Sequence, residues 1–244
     1  MRTKSIEQFT DLIACDSEEV WRDLIFKIGK ELGYERTLLA ILPDRNTPVE
    51  VEYAFLHTNY SIDWLSKYDS LKLNQVDPVV RHCANKSTPL IWTPDIFSAI
   101  RQKEMYEEAC GHGLRSGVTL PIHGSCGEMG ILCFVNGNKP GKKFQKETCH
   151  VLPELSYLRD VIFETSLPFM KPSQLLQELP HLTPRELECL KWCAAGKSSW
   201  DIAQILHCSE AAVNFHFANL RRKFCVKSRQ QVVVKAITQG LIAP

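Results

Sequence analysis

From Ser17 onward apolar residues recur at Val20, Trp21, Leu24, Ile25, Ile28 and Leu32, the spacing of one face of an α-helix, and Gly33 supplies a stop. The period then changes. Thr37 to Leu42 and Val49 to Phe55 read as strands separated by Pro43, Asp44, Asn46 and Pro48, which predicts an antiparallel pair. Residues 60–92 read as short helices and loops, and Thr93-Pro94 opens a helix expected to run through Ile96, Ile100, Met105 and Ala109 to Gly111. Val118 to Ile122 and Gly130 to Val135 flank His123-Gly124-Ser125-Cys126-Gly127, a second predicted hairpin, before a long helical pattern from about Phe144 to Thr165. This order predicts an α/β fold in which an antiparallel sheet is packed between helices, an α/β/α sandwich able to hold a ligand between layers.

Pro168, Pro172 and Pro180 interrupt helical continuity, which places a linker at 166–181 between a domain of residues 1–165 and one of 182–244. The second domain reads as four helices. Thr183-Pro184-Arg185-Glu186 has the spacing of a capping box, and the helix it opens ends at Gly196. Ser198 or Ser199 caps the next, His207-Cys208 makes a tight turn, and Ser209 caps a third that carries Val213, Phe217, Leu220 and Phe224 inward. Asn214, Asn219, Arg221, Arg222 and Lys223 fall on its outer face or C-terminal end, as in a recognition helix. A fourth helix from about Arg229 to Gln239, with Gly240 as its stop, is expected to pack the bundle and could expose Val232 or Ala236 to a partner.

Charge separates the same two parts. Residues 182–244 hold 9 Lys/Arg against 4 Asp/Glu, whereas the preceding 181 hold 20 against 24, so the formal net charge of +1 conceals a basic C-terminal module. A helical protein-binding module with a solvated cationic face would share the pattern, but the asymmetry together with the helix-turn-helix spacing favours duplex DNA. Nothing resembles an export signal or a membrane span, so a cytoplasmic location is expected. Ten scattered cysteines without CxxC pairs read as small buried hydrophobes; no metal site or cofactor is expected. A Cys133 or Cys110 nucleophile served by His112 or His123 is the enzyme alternative, and no catalytic motif supports it.

The run Leu182-Thr-Pro-Arg-Glu-Leu-Glu-Cys-Leu190, then Gly196-Lys-Ser-Ser-Trp-Asp-Ile-Ala203, then Val213-Asn-Phe-His216 resembles the DNA-binding domain of LuxR-type regulators. That resemblance implies a homodimer on an inverted-repeat site, with RNA polymerase as a further partner. Lys197 and Ser198 would touch phosphates while Asn214, Ala218, Asn219 and Arg222 face the major groove. Ala218 offers at most a methyl contact, so readout leans on Asn214, whose carboxamide suits adenine.

Asn59-Tyr60, Trp64, Tyr68, Asp77-Pro78, Trp92 and Gly117 resemble, in order and spacing, residues of acyl-homoserine-lactone receptors, and the stretches 92–108 and 113–130 are similar to LasR-like members. Tyr and Trp at helical spacing are also ordinary core residues, so the ligand reading rests on the whole set. The resemblance implies that Trp64 donates to the lactone carbonyl, Asp77 accepts from the amide N–H and Tyr60 donates to the amide carbonyl. Leu38, Ala40, Leu42, Ala54, Val80, Phe97, Met105, Ala109, Leu114 and Thr119 are the expected acyl-chain walls. Leu65, Val79 and Cys133 stand where LasR-like receptors carry Arg, Thr and Ser, which makes the expected site more apolar. A non-lactone small molecule is the alternative ligand.

Overall fold

The structure is a computed structural model and describes residues 9–44, 47–170 and 180–242. The chain divides near residue 175 into two compact units. In the first, the elements run α1 (Glu18–Glu31), β1 (Arg36–Leu42), β2 (Phe55–Thr58), α2 (Ile62–Ser70), α3 (Pro78–Asn85), β3 (Leu90–Ile91), α4 (Ile100–Gly111), β4 (Ser116–His123), β5 (Met129–Asn136) and α5 (Lys142–Ser166). Among the described residues the strands form one five-stranded sheet in the order β2-β1-β5-β4-β3, with antiparallel neighbours throughout.

Alternation along the strands sorts the side chains to two faces. Leu39, Ile41, Val118, Leu120, Ile122, Leu132 and Phe134 pack against Trp21, Ile25 and Ile28 of α1 and Leu155, Leu158 and Ile162 of α5. Leu38, Ile131, Cys133 and Val135 point the other way, toward Trp64, Val79, Cys83, Met105 and Ala109 from α2, α3 and α4. The expected sandwich is therefore formed.

Three local expectations are corrected. The second strand begins at Phe55, not Val49: residues Val51–Tyr53 form a 3₁₀ turn. The period-2 pattern there belongs to a loop, held off the sheet by a hydrogen bond from Asn74 to the Val49 carbonyl (2.6 Å) and by the Lys72–Glu50 ion pair (3.2 Å). The helix expected from Thr93 is broken into a 3₁₀ turn, Pro94–Ile96, and α4. The Gln102 carboxamide oxygen accepts from the Ser98 and Ala99 amides (both 3.1 Å), capping α4 at the break, and its nitrogen donates to the Val76 carbonyl (3.1 Å). The short β3, within the stretch read as helices and loops, pairs with β4 through only two residues.

Of the expected linker, Ser166 ends α5 and Leu167–Phe169 make a 3₁₀ turn, while 171–179 lie outside the described residues. The second unit contains α6 (Pro184–Ala194), α7 (Ser199–Ile205), α8 (Glu210–Lys223) and α9 (Arg229–Thr238). Thr183, Ser198, Ser209 and Ser228 each accept a backbone N–H at the start of one helix, and Thr183 and Glu186 complete the reciprocal capping box. Gly196, at φ +79°, makes the left-handed turn after α6. Cys189, Leu190, Ile202, Val213, Phe217, Leu220, Val232 and Ala236 form the core. Val232 and Ala236 are wholly buried, which overturns the expectation that either faces a partner; Val234 is the exposed apolar residue of α9.

Candidate functional site

On the sheet face opposite α1 and α5, residues of α2, α3 and α4 line a partly open cavity of about 180 Å³. β1 sends Leu38, Ala40 and Leu42 into it, the alternate residues to those in the main core. Leu65, Val79, Val80, Phe97, Met105, Ala109, Leu114 and Ala54 complete much of an apolar wall. Phe97 reaches it because the chain breaks before α4, and its ring stacks on Tyr106 at 4.4 Å.

Polar groups gather among Tyr60, Trp64, Tyr68 and Asp77, all lining the same cavity. Asp77 is the N-cap of α3: its Oδ1 accepts from the Val79 amide (2.8 Å) and its Oδ2 from the Tyr68 hydroxyl (2.9 Å). Burial raises its carboxyl above the ordinary value, partly offset by these hydrogen bonds. Burial, reinforced by Cys133 and Asp77, also pushes the Tyr60 phenol well up, so it remains a donor at neutral pH. Its hydroxyl is buried without a hydrogen-bond partner. An unmet buried polar atom costs roughly 1–3 kcal/mol, and a ligand acceptor would remove that cost.

Trp92 and Cys133 are also in the wall, but Thr119 is not. Thr119 lies behind them, accepting from the Trp92 indole N–H (2.8 Å) and meeting the Cys133 sulfur (3.2 Å). It supports the wall and does not form it. Gly117 allows this packing, because a Cβ there would fall 2.8 Å from the Phe134 carbonyl and 3.3 Å from the Trp92 ring. Residues not anticipated include Leu56, Cys83, Tyr106 and Ile131, along with Val49 and Val51 from the misassigned strand. Ile131 and Cys83 were accessible by parity with Cys133 and by helical spacing from Val79; the loop residues carried no such signal.

Cys133 does not form the nucleophile–base pair of an enzyme. Burial raises its thiol to about 12, and its neighbour is Thr119. His112 pairs instead with Ser61 (3.0 Å) and Glu108 (3.6 Å), and His123 with the Lys86 carbonyl (3.2 Å). Among the described residues no His, Cys, Asp and Glu cluster is arranged to hold a metal, and no helix is long and apolar enough to cross a membrane.

In the second unit α8 presents exposed Asn214, Ala218 and Arg222, with Asn219 partly exposed, and Lys197 and Ser198 are exposed just before α7. Arg222 donates to the Asn219 amide oxygen (2.6 Å). Lys223 turns back to Glu186 (2.6 Å) and the His181 carbonyl (2.9 Å), so it ties α8 to α6 and is withdrawn from the outer face. Asn214 accepts from the Ser199 hydroxyl (2.9 Å).

Residues 17–166 match the autoinducer binding domain, and residues 180–236 match the bacterial regulatory proteins of the luxR family. The transcriptional activator AhyR of Aeromonas hydrophila is 30% identical over 98% of this chain and 91% of its own, and VanR of Vibrio anguillarum is 32% identical over 76% of each. A structure of SdiA in complex with octanoyl-rac-glycerol superposes with TM-score 0.76 at 26% identity, covering 98% of this chain and 95% of that one. With a largely apolar cavity in one unit and a capped helix-turn-helix in the other, the chain belongs to the LuxR family of quorum-sensing transcriptional regulators.

Proposed function

We propose that the chain binds an N-acyl-homoserine lactone in the cavity of an N-terminal domain, residues 1–165, and as a homodimer binds an inverted-repeat promoter site through residues 182–244 to recruit RNA polymerase. The observation that carries this reading is the unpartnered Tyr60 hydroxyl beside Trp64 and Asp77 in a predominantly apolar cavity. A lactone headgroup offers the complementary set: one N–H and two carbonyls. In this reading Trp64 donates to the ring carbonyl, Tyr60 to the amide carbonyl, and Asp77 accepts the amide N–H. The acyl chain then runs along Leu38, Ala40, Ala54, Val80, Phe97, Met105 and Leu114. Lys197 and Ser198 contact phosphate, and α8 enters the major groove with Asn214, Ala218, Asn219 and Arg222.

A non-lactone acyl ligand is a second reading, since the structurally similar SdiA was solved with octanoyl-rac-glycerol. Thermal unfolding of the purified chain with octanoyl-homoserine lactone or octanoyl-rac-glycerol at equal concentration separates the two. A larger stabilisation by the lactone is expected, and stabilisation by the glycerol ester alone would replace it with the second reading.

A further inference from the structure

Arg229, Ser199 and Asn214 form a partly exposed hydrogen-bond chain in the second unit. The Arg229 guanidinium donates to the Cys193 sulfur (2.8 Å), the Ser199 hydroxyl oxygen (2.8 Å) and the Lys197 carbonyl (3.1 Å), and stacks 3.9 Å above the Phe217 ring. Arginine has donors only. Ser199 accepts from Arg229 and donates its proton to the Asn214 amide oxygen, 2.9 Å away. In this arrangement the Asn214 carboxamide turns its oxygen toward Ser199 and leaves its NH₂ outward.

We propose that Arg229 and Ser199 are positioning residues for base readout: they fix Asn214 as an outward-facing donor, so that the recognition helix selects guanine at the base pair Asn214 reads. Bidentate recognition of adenine needs the amide oxygen to accept from N6 while the nitrogen donates to N7, and here that oxygen is turned toward Ser199. Guanine presents N7 and O6, both acceptors, to an outward NH₂. Thymine offers one acceptor beside a methyl group, and cytosine offers a donor that meets another donor. The polarity of one side chain thus narrows an otherwise versatile amide.

The inference rests on α8 being the recognition helix, and binding-site selection can test the two ideas separately. The full chain, purified with octanoyl-homoserine lactone, would be given duplexes carrying a randomised inverted repeat. Asn214→Ala identifies the position it reads as the one that loses preference. Wild type is expected to enrich guanine there, Ser199→Ala to lower the guanine-to-adenine ratio by about fivefold or more by releasing the amide, and Ser199→Thr, which retains the hydroxyl, to match wild type. If Asn214→Ala loosens no position, the placement of α8 fails and the inference with it. If the loosened position is adenine in wild type, or if Ser199→Ala leaves the ratio unchanged, α8 stands and the positioning role is overturned.

Discussion

Asp77 joins two opposing effects at one carboxyl: burial disfavours its charge, while hydrogen bonds to that charge favour it. The burial effect is the larger, so the folded-state pKa is raised. Such a group supports the fold most strongly below its ordinary value of 3.8, and that support is lost as pH climbs through the raised value. At neutral pH an Asp77→Asn variant should accordingly melt, without ligand, no lower than wild type, because asparagine can also cap α3. Its response to acyl-homoserine lactone should fall roughly tenfold to a hundredfold, the value of about 1.5–3 kcal/mol for a hydrogen bond to a charged group. Titration calorimetry alongside melting checks both halves; full-strength lactone binding by the variant would remove Asp77 from the headgroup site. A 3-oxo group should fare worse than an unsubstituted chain, since Leu65 and Val79 both line the cavity and neither can satisfy a buried keto oxygen. Paired octanoyl and 3-oxo-octanoyl lactones compared by thermal shift test this, and a clear 3-oxo preference would refute it. These side chains were legible because their types and spacing are distinctive. Thr119 was misplaced because pattern identifies the face of a strand but not whether another side chain, here Trp92, lies between it and the cavity.

Helices with core-spaced apolar residues were readable from the chain: α1 and α5, which lack side-chain caps, and all four capped helices of the second unit start and stop near the expected signals. The failures share a cause, namely tertiary contacts that overrule local pattern. Val49 to Phe55 alternates like a strand, yet Asn74 and Lys72 hold its first half over the cavity. Thr93-Pro94 begins a turn of helix, yet Gln102 draws the Ser98 and Ala99 amides onto its side chain and restarts the helix at Ile100. Gln102, 8% exposed, also reaches Val76, next to Asp77. Gln102→Ala should therefore cost about 1–3 kcal/mol of stability through the amides it leaves unmet. It should also weaken ligand binding by loosening the segment that holds Asp77. Urea unfolding and calorimetry on the same variant provide the test; unchanged stability would mean that water or a shifted backbone replaces the cap without loss.

At the scale of the whole molecule, a basic module on a mildly acidic body confines attraction for DNA to one end of the chain, and the strength of that attraction must depend on salt. Lys197 is exposed and precedes α7, while Lys223 is committed to Glu186, so the two lysines should behave differently despite equal charge. Lys197→Ala, by removing the proposed phosphate contact, should weaken all operator sequences alike without changing base preference. Its effect on salt dependence also counts protomers. Each neutralised phosphate contributes about 0.9 to the slope of log affinity against log salt, so Lys197→Ala should reduce that slope by about 1.8 if two copies engage an inverted repeat and by about 0.9 if one does. We expect the larger change, with sedimentation showing two chains on the full site, because a single short helix reads too few base pairs for specificity. A slope change near 0.9 with one chain on the duplex would overturn dimeric binding. No slope change at all would instead show that Lys197 does not reach the phosphates.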